Sequence, residues 1–147
     1  MKIESKTLNF KTKGIFDFID FTEEVKGFVK EKEIEEGLLN VQIMNTSAGL
    51  ILNENEPLLL EDIKEKLEKN APRDKDYRHD DLSVRTVNVC NDECRNGHSH
   101  CNAISLPSTV TLNIRRGKLQ LGRWQSLMMV ELDSAREREV QLQIVGK

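Results

Sequence analysis

Apolar positions along the chain change their spacing several times, and each change marks a candidate element. Residues 2–11 alternate weakly and read as a strand. In the stretch 20–37, Val25, Phe28, Val29 and Lys32 share one helical face. Asp20 or Thr22 would cap the start of that helix and Gly37 would end it. Leu39, Val41 and Ile43 then alternate with Asn40 and Gln42, the pattern of a half-buried strand, and "AGLILN" reads as another. Pro57 suits the first position of a second helix, in which Leu59, Ile63 and Leu67 recur on one face until "APRD" breaks it. Towards the C-terminus, "STVTLNI", "KLQLG", "WQSLMMVEL" and "REVQLQIVG" form a meander of strands with turns at "RRG" and "DSAR". This order predicts one α+β domain over residues 1–147: a mainly antiparallel sheet or sandwich with two or three helices.

About thirty residues between the second helix and the meander show no clear period. Connections longer than roughly 12–15 residues are uncommon in compact domains and often functional. The segment "YRHDDLSVRTVNVCNDECRNGHSHC" holds all three histidines (His79, His98, His100) and all three cysteines (Cys90, Cys94, Cys101). Neutral imidazoles and thiolates are ligands for zinc and similar ions, and Asp80 and Asp81 could complete a shell. The spacing of Cys90 to Cys94 and of His98 to His100 matches the paired ligands of structural zinc modules only loosely.

Backbone conformation separates two versions of a histidine site. In an extended segment His98 and His100 face the same side and can hold one ion. If Asn96 caps a helix starting near Gly97, successive positions rotate by ~100°, those rings diverge, and His79 must arrive from elsewhere. Plainer readings stand beside these. A loop histidine can simply be solvated, the cysteines can be small buried hydrophobes, and Trp124 can be a core or interface anchor. Arg73 and Arg123 can be ordinary surface charges.

Charge narrows the classes. The 22 Lys and Arg against 25 Asp and Glu give a net charge of -3, without the basic excess of a nucleic-acid binder. Arg115, Arg116 and Arg123 make only local basic patches. No apolar run reaches membrane-spanning length, and "MKIESKTLNFKTKG" lacks the apolar stretch of a secretory signal. An odd number of cysteines without such a signal points to a reducing, cytoplasmic setting.

Four segments occur in order: "NTSAGLILNENE", "APRDKDYRHDD", "NGHSHCNA" and "STVTLNIRRGKLQLGRWQSLMMVELDSARER". On these, the chain from about residue 40 resembles the YjbQ-like family, whose members are often called secondary thiamine-phosphate synthase enzymes. The resemblance implies an α+β fold and a homotrimer with sites near subunit boundaries. It also implies an activity that joins a hydroxymethylpyrimidine diphosphate to a thiazole phosphate. A divalent metal such as zinc, held by histidines, belongs to the same expectation.

Residue by residue, Tyr77 and His79 match the family's Tyr-x-His, and His100 matches its helix-start histidine after Asn96 and Gly97. Leu121, Gly122, Trp124 and Gln125 match Leu-Gly-x-Trp-Gln, and Glu131 matches the acid downstream. Thr46, Ser47 and Asn53 match the Thr-Thr-Ala and Asn-Glu-Asn segments. Asn45 stands where the family has a histidine, Asn113 where it usually has a proline, and Ser134-Ala135 where it has Gly-Pro.

The resemblance therefore implies catalytic roles for His79, His100, Glu131, Asn45 and Ser47. It implies metal ligation by His79 and His100 and a small phosphorylated metabolite as ligand. His98 joins the metal ligands only if its backbone is not a regular helix, and Arg73, Arg123 and Gln125 are the candidate binding residues. Because an amide is a poor zinc ligand, Asn45 keeps a second expectation open, a non-catalytic trimeric protein that binds a phosphorylated metabolite or a metal. A Cys/His structural metal module is the third.

Overall fold

The computed structural model describes residues 1–147. Its strands are β1 (Lys2–Lys11), β2 (Phe18–Asp20), β3 (Glu36–Ile43), β4 (Ala48–Asn53), β5 (Thr109–Arg115), β6 (Lys118–Leu119), β7 (Ser126–Glu131) and β8 (Glu137–Gly146). Its helices are α1 (Thr22–Glu31), α2 (Pro57–Asn70) and α3 (Gly97–Ala103), with a 3-10 turn at Arg78–Asp80. Every strand pair is antiparallel: one sheet runs β1-β8-β3-β5-β6 and the other β2-β7-β4. The α+β architecture expected from the sequence is the one observed.

Period-two alternation places the core. Leu39, Val41 and Ile43 on β3, Leu112 and Ile114 on β5, and Val140, Leu142 and Ile144 on β8 all turn inward. They meet Leu50 of β4, Leu127 and Met129 of β7, and the face of α1 carrying Val25, Phe28 and Val29. The other side of the smaller sheet, Ile51, Met128 and Val130, packs against Leu67 of α2 and Ala103 of α3. A strand covered on both faces needs a continuous apolar run, which is why "LMMV" in β7 does not alternate.

Two expectations about α1 need correction. The helix ends at Glu31, not at Gly37: Glu33 takes φ 50°, and β3 begins at Glu36. Gly37 lies inside β3 because a Cβ there would sit 2.5 Å from the Val145 carbonyl oxygen of the neighbouring strand. At the start, the cap position is Phe21, which makes no side-chain capping bond, and Thr22 is already the first helical residue. The Asp20 carboxylate accepts from the Thr22 backbone N–H at 3.0 Å and from its hydroxyl at 2.6 Å. The α2 bounds agree with the sequence reading, but its cap is Glu56, whose carboxylate accepts from the N–H groups of Leu58 and Leu59.

Candidate functional site

The long connection after α2 gains its order from one acid. Asp80, at the end of the 3-10 turn, accepts through Oδ1 from the backbone N–H groups of Asn96 and Gly97, both at 2.9 Å. Those are orphan donors at the start of α3. Asn96, the expected cap, makes no capping bond with its own side chain. Gly97 is required by this contact, since a Cβ would fall 2.5 Å from Tyr77 Cβ. The Ser99 hydroxyl ties α3 to the end of β7 by donating to the Leu132 carbonyl at 2.6 Å.

This packing brings His79 and His100 together, their ring centroids 4.6 Å apart at an interplanar angle of 67°. His100 Nδ1 lies 3.1 Å from the Thr46 carbonyl oxygen, which only accepts. Nδ1 therefore carries a proton, and in the neutral ring Nε2 bears the lone pair. His79 Nε2 is buried and has no hydrogen-bond partner. Burial, and then the charge of His79, push the His100 imidazolium below the ordinary histidine range, against a smaller opposing pull from Thr46.

Around the pair is a polar cleft of about 470 Å³, bordered by Thr46, Ser47, Arg85, Cys90, Cys94 and Arg136. Arg85 donates to the His79 carbonyl at 3.1 Å and to Glu93 at 2.6 Å, so one guanidinium braces the His79 turn. Arg136 is paired with Asp133 at 2.8 Å and donates to Cys94 Sγ at 3.1 Å.

The other expected residues divide. His98 is buried in α3 with Nε2 3.1 Å from the Ser99 hydroxyl, and the helical rotation turns it away from His100. The three-histidine ligand set is therefore not assembled. Ser47 reaches the cleft, yet its hydroxyl is engaged by Arg138 at 2.9 Å. Glu131 is fully buried and bound by Arg138, the Thr12 hydroxyl and the Asp133 N–H. It supports the cleft from beneath and does not line it.

Asn45 accepts from the Glu139 N–H at 3.2 Å. Arg73 pairs with Glu68 and lies over the Phe16 ring. Arg123 and Gln125 line a different cleft with Asp20 and Glu56, where Arg123 stacks on Trp124 at 4.6 Å. They are not brought to the histidines.

A divalent ion with open coordination positions is ordinarily held by three protein ligands. No three His, Cys, Asp or Glu side chains gather to hold one. Two imidazoles are present, and Asn45 is committed to the backbone. The donor set does not fit a histidine-held zinc, and no chemistry below is routed through one.

Sequence reasoning missed Arg85, Arg136 and Arg138. One signal was available for Arg138. The alternation of "REVQLQIVG" places it on the inward register with Val140, Leu142 and Ile144, and a buried cation needs a buried acid.

A family model described as "UPF0047 protein YjbQ-like" matches residues 6–147. A UPF0047 protein of Methanothermobacter thermautotrophicus is 31% identical over 147 residues, covering 100% of this chain and 95% of the relative. One from Archaeoglobus fulgidus is 35% identical over 133 residues, covering 90% and 94%. A crystal structure of a YbjQ-like protein of unknown function from Sulfolobus solfataricus superposes with a TM-score of 0.88. It shows 27% identity and 99% coverage of both chains.

Proposed function

Because this chain belongs to the YjbQ-like UPF0047 family, we propose that the cleft binds a phosphorylated small metabolite and that His79 and His100 are its proton-transfer pair. The reaction class is the one the resemblance implies, transfer of a hydroxymethylpyrimidine group from its diphosphate to a thiazole phosphate. The observation that supports this reading is the 4.6 Å approach of two imidazoles in a cleft bordered by two guanidinium groups.

In that reaction the thiazole ring nitrogen attacks the methylene carbon attached to the pyrimidine. The carbon–oxygen bond breaks, and diphosphate departs with the electron pair. A diphosphate beside the imidazoles favours their charged forms, because an anion stabilises a nearby cation. His100, whose charged form burial disfavours in the empty cleft, then takes up a proton, which the departing oxygen receives. Arg85 and Arg136 offset the remaining negative charge.

The test is thiamine phosphate formation by the purified protein beside His79→Ala. Positioned proton transfer contributes about 10²–10⁴-fold, so a loss of at least about a hundredfold is expected, and unchanged turnover refutes the role.

Asn45 favours a second reading, ligand binding without turnover, because its amide is held by Glu139 and supplies no third imidazole. Thermal stabilisation by phosphorylated compounds with no product formed would select it. The homotrimer implied by the resemblance belongs to the same proposal.

A further inference from the structure

A cleft of about 740 Å³, larger than the histidine cleft and sharing no residue with it, lies between the end of α1 and the hairpin joining β5 to β6. Val29 and the half-buried Leu119 give it an apolar wall. Lys26, Lys30, Arg116 and Lys118 border it against two carboxylates, Glu33 and Glu35, in a chain whose net charge is -3. Glu23 holds Lys26 at 2.8 Å, but none of the other five charged groups is in an ion pair.

The hairpin has an unusual residue at its tip. Arg115 pairs with Lys118, which leaves a two-residue turn with Arg116 at φ 51° and Gly117 at φ 70°. Such a turn favours Asn, Asp or Gly at its first central position, because a larger side chain crowds the left-handed backbone. Glu33, just past α1, has φ 50° where Gly or Asn is usual. Phe16 and Asn88 are the chain's other non-glycine residues with positive φ, and neither borders this cleft. Backbone strain of this kind gathers at ligand sites. The turn is also anchored: the Gly117 N–H donates to the Glu35 carbonyl at 3.1 Å and the Arg116 N–H to the Glu36 carboxylate at 3.2 Å.

Two elements thus present unpaired cations to one space, Lys30 from α1 and Arg116 and Lys118 from the hairpin. Guanidinium and ammonium groups recognise phosphate, and the volume suits a small molecule. The carboxylates oppose a bare anion and only accept hydrogen bonds, so a ligand must bring donors as well as negative charge. A nucleotide brings phosphates for the cations, sugar hydroxyls and base amino groups for the acids, and a flat base for the apolar wall.

We propose that this cleft is a second ligand site, which takes a nucleotide through its phosphates on Lys30, Arg116 and Lys118 and its hydroxyl or amino donors on Glu33 and Glu35. The proposal stands or falls apart from the chemistry of the histidine cleft.

Titration calorimetry with ATP, without added metal, tests it. ATP is expected to bind at millimolar concentration or below, and to shift the amide resonances of residues 29–35 and 116–119. Arg116→Asn/Lys118→Ser should weaken binding at least about tenfold, as loss of hydrogen bonds to charged groups does. Its melting temperature should not fall, because Asn suits the turn. Lys30→Gln, exposed on α1 and outside the hairpin, should weaken binding as well, which separates loss of contact from a disturbed hairpin. Inorganic triphosphate should bind more weakly than ATP, since it brings no donors for the acids, and His79→Ala should bind ATP as the wild type does. No ATP binding at millimolar concentration, unchanged affinity in the double variant or in Lys30→Gln, equal affinity for inorganic triphosphate, or loss of binding in His79→Ala overturns the proposal.

Discussion

Asp80 and Gly97 are joined by a hydrogen bond of 2.9 Å from the Gly97 backbone N–H to the Asp80 carboxylate. Because Asp80 follows His79 and Gly97 opens the helix that carries His100, this bond fixes how closely two sequence-distant imidazoles approach. The Asn96 N–H, also 2.9 Å from the same oxygen, doubles the constraint.

Asp80→Ala should therefore lower stability and also loosen the pair. Loss of a helix-capping acceptor costs about 0.5–2 kcal/mol. At about 2–4 °C per kcal/mol for a chain of this size, thermal denaturation should register it readily. Asp80→Asn keeps an acceptor and should fall between wild type and Asp80→Ala. Histidine ring resonances of His79 and His100 should move in both variants. Unmoved His79 and His100 signals would remove Asp80 from its positioning role.

Most of the fold was legible because its elements are periodic. The inward alternation of Leu39, Val41 and Ile43 followed from spacing, and the bounds of α2 from spacing together with Pro57 and the break at "APRD". Gly37 misled because a glycine after a helix reads the same whether it ends the helix or admits a neighbouring strand. Only tertiary contact with Val145 separates the two. The site was legible in part. His79 and His100 do converge, and the geometric alternative for His98 was decided by α3 being helical. Arg85, Arg136 and the capping role of Asp80 depend on how an aperiodic segment folds back on itself, which no spacing rule encodes.

The two-imidazole donor set has a consequence for metal content. Protein purified without added metal should carry less than one equivalent of zinc, and a chelator should leave its melting temperature unchanged. Elemental analysis and thermal denaturation with and without chelator measure both. Stoichiometric zinc lost on His79→Ala would show that a further ligand comes from outside the single chain.

Glu131 and Arg138 form a buried ion pair beneath the cleft, with side chains 0% and 4% exposed. Removing one partner leaves an uncompensated buried charge, at a cost of about 3–5 kcal/mol. Arg138→Met and Glu131→Gln should each be strongly destabilising in urea denaturation. Arg138→Met should be the worse, because it strands the carboxylate and releases Ser47. The double variant Glu131→Leu/Arg138→Met should recover much of the loss, since a matched apolar pair leaves no charge unpaired. Strictly additive losses would show that the two residues act independently.

The depressed position of His100 makes stability depend on pH in a definite direction. An unfolded histidine titrates near pH 6.5, and burial beside His79 lowers the folded value. Above the unfolded value both states are neutral at this ring and its contribution to stability is fully present. As pH falls below it, the unfolded chain binds a proton that the folded chain does not, so stability declines. The decline ends once pH has passed the lowered folded value. The urea midpoint of the wild type should therefore drop across this acidic window, and His100→Gln should drop less steeply. A phosphorylated ligand in the cleft should flatten the wild-type slope, because its negative charge raises the folded value back towards the unfolded one. Equal slopes for wild type and His100→Gln would show that the titrating group lies elsewhere.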